Sequence, residues 1–240
     1  MRVEHIAQSA FMPPEDVPWR PDVENESGMY NGSQLVEFAG RACYQSWSKP
    51  NPATATNEGY LGHIMDVGHW SVMEHASVTF YITGVSRSLT HELVRHRHFS
   101  YSQLSQRYVD ESNTEFITPP LIAENERAAS MFYLMTHDAQ NAYRTLADML
   151  KEEFPDKPRK EIRQAARAVL PNATETKIVV TGNYRAWWNM LLLRATEAAD
   201  VEIRELSIMI LQQLQDIAPA VFGRFEIFDL ADGTKAARLP

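Results

Sequence analysis

Between positions 95 and 108 the chain reads Arg95-His96-Arg97-His98-Phe99-Ser100-Tyr101-Ser102-Gln103-Leu104-Ser105-Gln106-Arg107-Tyr108. Guanidinium forks, imidazoles, hydroxyls and amides stand side by side, with Leu104 as the one aliphatic residue among them. A buried segment would need a partner for each polar group, or each would cost free energy. A merely solvated face would interleave Lys with Glu. Arginine beside Ser and Gln suits a phosphate and a heterocycle, because the fork matches oxyanion geometry and the neutral groups complete the hydrogen bonding. Surface ion pairing is the plainer alternative.

A second polar cluster is Gly68-His69-Trp70-Ser71-Val72-Met73-Glu74-His75. With His63, His91, His96 and His98 it raises the question of a metal. The spacings are not those of zinc ligands one helical turn apart, and His96 and His98 would point apart on a helix, so no metal site is expected. No Gly-x-Gly-x-x-Gly or P-loop pattern is present, which argues against a conventional Rossmann or Walker nucleotide site. No Gly-x-Ser-x-Gly elbow occurs either. The third cluster lies near the C-terminus, where Asn183, Arg185 and Asn189 surround Trp187-Trp188. Arg194 follows Leu191-Leu192-Leu193, and Arg167 sits in Ala165-Ala166-Arg167-Ala168-Val169. A guanidinium in such apolar surroundings must snorkel, pair or meet an anion.

The whole chain bounds these readings. Its 240 residues suffice for one large domain or two small ones. Net charge is -8, which disfavours DNA or RNA as partner, yet Arg87, Arg95, Arg97 and Arg107 cluster. A local cationic pocket on an anionic protein fits a small phosphorylated ligand. Cys43 is the one cysteine, so no intramolecular disulfide is possible and a reducing cytoplasm is expected. It is expected to be a buried small hydrophobe. No signal peptide and no apolar run of membrane-spanning length is seen, so no membrane association is expected.

The elements that must position these groups follow from periodicity and punctuation. Val3 to Ser9 predicts a strand, and the Pro- and acid-rich stretch from Phe11 to Val23 an ordered loop. Leu35, Phe38, Ala39 and Ala42 recur at helical spacing and predict a helix over Ser33 to Ser46 with Ser33 as N-cap. A second helix is expected over Asn57 to Val67, then a strand over Val72 to Ile82. After Gly84, Ser86 or Ser88 would cap a helix with Arg87, His91 and Arg95 on one face and Leu89 and Leu93 on another. From about His98 the chain should leave that helix. Thr118-Pro119-Pro120 reads as a loop and possible boundary. Helices are expected over Asn125 to Phe154 and Lys160 to Val169, and a short strand over Thr176 to Val180. One long helix from Tyr184 to Ile217 and a final strand at Phe225 to Phe228 complete the reading. A single α+β domain results, with a mixed or antiparallel sheet packed with long helices.

Arg95-His96-Arg97, seven residues, Ser105, then Gln106-Arg107-Tyr108 resembles the signature of flavin-dependent thymidylate synthases. Gly68-His69-x-Ser71-x-x-Glu74-His75, Arg167 before Val169-Leu170-Pro171, and Asn183-x-Arg185 before Asn189 and Arg194 support the resemblance over most of the chain. It implies one synthase-like domain over residues 1–240 that converts dUMP to dTMP, with methylenetetrahydrofolate supplying carbon, NADPH supplying reducing equivalents and FAD relaying the hydride. It implies a homotetramer with sites shared between subunits. By position, Ser71, Arg95, His96, Arg97, Gln103, Asn183, Tyr184, Arg185 and Asn189 resemble the flavin contacts. Glu92, Leu93, Val94, Arg95, Gln103, Leu104, Ser105, Gln106, Arg107 and Arg167 resemble the dUMP shell. Arg194 resembles the family's activating arginine, placed against the pyrimidine, and no enzyme nucleophile is required.

The chain departs from common family residues at Ser102, Gln103 and Ala198; Gln103 can still hydrogen-bond but supplies no negative charge. Three rival readings stand beside the resemblance: another flavoenzyme acting on a nucleotide, a metal-dependent phosphohydrolase built on the histidines, and a non-catalytic nucleotide or RNA-binding module.

Overall fold

The computed structural model of the chain describes residues 1–21, 31–49 and 51–240. Strand β1 (Arg2–Gln8) lies where alternation placed a strand. The loop expected after it is irregular up to Pro21, and its last two residues lie outside the described ones. Helix α1 (Gly32–Tyr44) is capped by Asn31 rather than Ser33: Asn31 accepts from the Ser33 N–H at 2.8 Å, and Gln34 accepts from the Asn31 N–H at 2.9 Å. This reciprocal pair is a capping box.

The inward face of α1 also differs from the expected one. Leu35, Phe38, Ala39 and Ala42 are half-buried, whereas Val36, Glu37, Gly40 and Arg41 are buried. Arg41 Nε donates to Glu37 Oε1 at 2.7 Å, its other nitrogens reach the carbonyls of Ser46 and Thr54, and Asn57 donates to Glu37 Oε2. Charges satisfied on every side can occupy an interior that apolar periodicity does not mark. Cys43 is exposed, not buried. Two residues past Arg41, it stands about 200° around the helix from that inward face.

Helix α2 (Asn57–Asp66) forms as predicted. The expected strand start at Val72 is instead a 3-10 turn, Trp70–Glu74, and β2 runs Ser77–Ser86. Val72 and Met73 are both buried in that turn; on a strand they would face opposite sides of the sheet. Ser86 caps α3 (Arg87–Leu93), accepting from the Leu89 N–H at 3.0 Å. The helix stops at Leu93, so Arg95 lies beyond it and the face shared by Arg87, His91 and Arg95 does not form. Strand β3 (Phe99–Gln103) follows.

Then come α4 (Pro120–Ala123), α5 (Glu126–Glu153), α6 (Arg159–Ala166) and a 3-10 turn through Val169. Strand β4 (Glu175–Asn183) is longer than predicted. The helix expected over 184–217 is two, α7 (Tyr184–Arg194) and α8 (Val201–Ile217). No Gly or Pro marks the break. Asp200 caps α8 through the Glu202 N–H, and the Arg204 side chain binds the connector's carbonyls. After α9 (Pro219–Phe222), β5 (Glu226–Asp229) pairs antiparallel with β6 (Lys235–Arg238), a strand absent from the expected set.

Strands β1 to β4 form a sheet in the order β1-β2-β4-β3. Cross-strand contacts run in opposite senses throughout: Thr79 with Thr181 and Arg87 with Thr174 for β2 and β4, Leu104 with Lys177 and Phe99 with Gly182 for β3 and β4. The fold is α+β with an antiparallel sheet.

The chain separates into two compact units. The first comprises residues 1–2, 82–95 and 101–179, and the second residues 3–81, 96–100 and 180–240. Thr118-Pro119-Pro120 is no boundary; it lies inside the first unit, where Pro120 starts α4. In the first unit α5 packs on α6, yet only Thr136, Gln140 and Tyr143 of α5 are buried. The second unit holds the densest core, with Trp187, Phe80, Phe222 and the α8 residues Ile203, Leu206, Ile210, Leu211 and Leu214 buried.

Candidate functional site

In the first unit the opening motif is organised around a threonine. The Thr176 hydroxyl, on β4, accepts from Gln103 Nε2 at 3.3 Å and from Arg87 Nη1 at 3.5 Å. Gln103 Nε2 also donates to Thr90 Oγ1 at 3.0 Å. Strand and helix thereby fix an amide and a guanidinium beside each other. Burial pushes the Arg87 pKa down; Arg167 pushes in the same direction, and Glu111 opposes them. Among the described residues, no ion pair involves Arg87, Arg107 or Arg167. Cations left out of ion pairs favour an anionic ligand.

The rest of the expected dUMP shell surrounds this pair in the chain. Leu104 N–H donates to the Lys177 carbonyl at 2.9 Å, and the Ser105 carbonyl accepts from Tyr108 and Val109 N–H, both at 3.0 Å. That turn buries Gln106, whose Nε2 has no partner. An orphaned buried donor is uncommon and suits a group that the ligand supplies. Arg107 Nη1 lies 3.4 Å from Gln164 Oε1, beside a cleft of about 600 Å³ lined also by Pro158, Lys160 and Glu161. Lys160 sits 5.1 Å over the Tyr108 ring, and its bond to the phenol lowers the Tyr108 pKa. Glu92 is half-buried and Val94 and Arg95 are exposed. The Leu93 side chain is buried, and its carbonyl accepts from the Tyr101 hydroxyl at 2.7 Å.

The second unit takes up His96 to Ser100 and with them most of the expected flavin set. Arg194 Nε donates to His96 Nε2 at 3.2 Å, which makes that ring nitrogen an acceptor. Phe99 stands edge-on to Trp187, centroids 4.5 Å apart. Gly182 makes room for it: a Cβ there would lie 2.3 Å from the Phe99 ring. Arg185 pairs with Glu74 of the 3-10 turn, and Trp70 of that turn packs on Trp188 at 5.0 Å. Ser71, Arg97, Arg185 and Asn189 are exposed, the last two one helical turn apart.

Two residues of the flavin set have side chains committed to the fold. Asn183 caps α7, accepting from the Ala186 N–H at 2.8 Å. Tyr184 is buried against Phe222, and burial pushes its phenol up to about 12. Their roles in starting α7 are local, and spacing alone could not separate them from ligand contacts.

The dUMP set, Glu92 to Arg95, Gln103 to Arg107 and Arg167, thus falls in the first unit. Arg194 and the flavin set fall in the second, Arg95 and Gln103 excepted. Sequence reasoning counted Arg87 in the cationic cluster but not in the motif-matched shell, and it gave Thr90 and Thr176 no part. Arg87 carried a signal, its place in the arginine cluster; the threonines carried none. Among the described residues, no three His, Cys, Asp or Glu side chains converge as metal ligands.

Fold and site together define an α+β protein in which a β4 threonine holds a glutamine amide and an arginine guanidinium beside each other. The sequence model of the family described as "Thymidylate synthase complementing protein" matches residues 27–220. A protein of Mycobacterium avium named flavin-dependent thymidylate synthase is 57% identical over 245 residues, covering 100% of this chain and 96% of the relative. Its namesake in Mycobacterium tuberculosis is 58% identical over 248 residues with the same coverage, and that in Mycolicibacterium vanbaalenii 57% over 245. The chain belongs to the flavin-dependent thymidylate synthase family.

Proposed function

We propose that the chain carries out the reductive methylation of dUMP to dTMP, with methylenetetrahydrofolate as carbon donor and NADPH as reductant. The observation that carries this reading is the Thr176 bridge, which sets the Arg87 guanidinium beside the Gln103 amide in the first unit, with Arg87 in no ion pair. Arg87, Arg107 and Arg167 hold the phosphate through forked donors. Gln103, Ser105 and the orphaned amide of Gln106 hydrogen-bond the remainder of the nucleotide.

Arg194 supplies a fixed positive charge against the pyrimidine, which favours the ionised ring and makes its carbon more nucleophilic. The bond to His96 orients that guanidinium. No side-chain nucleophile enters; the one thiol, Cys43, is on the outer face of α1.

The donor set of the second unit fits a flavin dinucleotide: a hydroxyl at Ser71, an amide at Asn189 and guanidinium groups at Arg97 and Arg185 are open to solvent. FAD, when bound, supplies the hydride drawn from NADPH. Ser71, Arg97, Arg185 and Asn189 would bind and orient it.

We place the protein in the cytoplasm as a homotetramer with shared sites, residues 1–240 acting as one synthase domain. Support for assembly comes from Met131, Tyr133, Leu134 and Met135 on α5, which are more than half exposed in the single chain. Among the described residues no helix is long and apolar enough to cross a membrane.

The test is tritium release from ring-labelled dUMP with FAD, NADPH and methylenetetrahydrofolate present. Release with dTMP formation is expected; binding of flavin and dUMP with neither would overturn the reading.

A further inference from the structure

The last residue of a helix is held by fewer backbone bonds than those before it, and helix ends fray. Arg194 is the last residue of α7, and no left-handed residue closes the turn behind it: Ala195 at the C-cap has φ -87° and ψ 3°. The connector that follows is nevertheless tied down at several points. The Ala195 carbonyl accepts from the Ala237 N–H of β6 at 2.7 Å. Arg204, in the first turns of α8 and 3% exposed, donates Nη1 to the carbonyls of Glu197 at 2.8 Å and Ala199 at 3.3 Å. Its Nη2 donates to Asp232 Oδ2 at 3.2 Å and Thr234 Oγ1 at 2.8 Å. Those two residues form the turn between β5 and β6, where Asp232 Oδ1 accepts from Thr234 N–H at 2.9 Å and from its hydroxyl at 2.6 Å.

We propose that Arg204, Asp232 and Thr234 are positioning residues for Arg194, a latch by which the C-terminal hairpin fixes the end of α7. This rests on the reading of Arg194 as the group that activates the pyrimidine. A buried guanidinium is a costly way to close a turn between helices, because its charge must be matched by good geometry. A glycine or a few apolar contacts would serve packing alone. All four bonds of Arg204 join connector carbonyls to hairpin side chains, so the network couples those two segments. With β6 holding Ala195 as well, the connector that begins at Arg194 is tied to the hairpin at two places, directly at Ala195 and through Arg204 at Glu197 and Ala199. A catalytic cation at a fraying helix end needs such a grip, since small displacements are expensive in rate.

The latch is opened by the double variant Asp232→Ala/Thr234→Val, and by Asp232→Ala alone should the double variant not fold; Asp232 is largely exposed. Steady-state turnover, dUMP affinity, the flavin absorbance spectrum and thermal stability are measured on the FAD-loaded protein. The same changes are made on an Arg194→Lys background. We expect kcat to fall roughly tenfold or more, the scale of a misplaced catalytic group, with dUMP Kd and flavin spectrum unchanged. On Arg194→Lys the further loss should shrink to about twofold or less, because coupled residues are not additive. Wild-type kcat, or an equal fractional loss on both backgrounds, overturns the proposal and leaves the hairpin a structural element. If Arg194→Lys itself turns over like the wild type, it is the reading of Arg194 that fails, a distinct result.

Discussion

The arginines of the expected dUMP shell and those of the expected flavin side are held in different ways. In the first unit Arg87, Arg107 and Arg167 make no ion pair, and Arg87 is half-buried with Glu111 attracting and Arg167 repelling its charge. In the second, Arg185 is already paired with Glu74, and Arg194 is aimed by an imidazole. The contrast separates two tasks. Cations kept out of ion pairs retain their attraction for a ligand's phosphate, whereas a cation whose direction matters is held by a neighbour that fixes its angle. Changes in the first unit should therefore act on dUMP affinity, and changes in the second on turnover or flavin.

Arg194→Ala is the sharpest test of that division. Removing a fixed electrostatic stabiliser typically costs about 10²–10³ in kcat, and FAD should stay bound. Tritium release and the flavin spectrum measured together decide it; wild-type release would break the comparison at its strongest point.

Arg107→Ala and Arg87→Ala should instead raise the dUMP Kd by roughly ten- to a hundredfold, the worth of a charge-assisted hydrogen bond. Isothermal titration on the flavin-loaded protein checks this. A loss of flavin with unchanged dUMP affinity would mean that the two units' roles are exchanged. Arg87 is the more informative of the pair, since no motif reading placed it in the site.

Much of this arrangement was legible in the chain. The segment 95–108 announced itself by composition, and Ser86 and Asn125 marked real helix starts. What escaped was whatever depends on satisfied polar groups. The buried pair Glu37–Arg41 reversed the face of α1, because periodicity counts apolar residues and cannot see a carboxylate meeting its guanidinium. The break after Arg194 was invisible for the same reason: its stop signal is Arg204 bound to two carbonyls, not a glycine or proline. Thr90 and Thr176 matter only because they lie under Gln103, a relation between residues 73 or more positions from one another for Thr176. The division of the motif itself, with His96 to Ser100 in one unit and Arg95 and Tyr101 onward in the other, has no compositional mark.

Thr176→Val tests the bridge more finely. It keeps the shape of the side chain and removes the acceptor shared by Gln103 and Arg87. A neutral hydrogen bond is worth about 0.5–1.5 kcal/mol, so the dUMP Kd should rise by a few-fold, with kcat at saturation nearly unchanged. A larger effect on kcat than on Kd would tie the bridge to chemistry and blur the distinction between the units.

The smallest expected effect comes from an arginine of the first unit that does have a carboxylate. Arg163 Nη2 lies 3.0 Å from Asp110 Oδ2, and Asp110 is largely exposed. Hydrogen bonds from Ser112, with Arg163 adding to them, hold the Asp110 carboxyl below its ordinary range. A depressed carboxyl contributes stability that is present above its unfolded pKa and lost as pH falls through the folded value. Asp110→Asn should therefore lower stability at pH 7 by under about 1 kcal/mol, as solvent screening of an exposed pair requires. The gap from wild type should narrow as pH falls through the depressed folded value and close once the carboxyl is protonated in both states. Chemical denaturation across that range measures it, and dUMP affinity should not move. If Asp110→Asn instead strengthened dUMP binding, Arg163 would be a released cation joining Arg87, Arg107 and Arg167, and the set of unpaired arginines would be larger than the geometry now assigns.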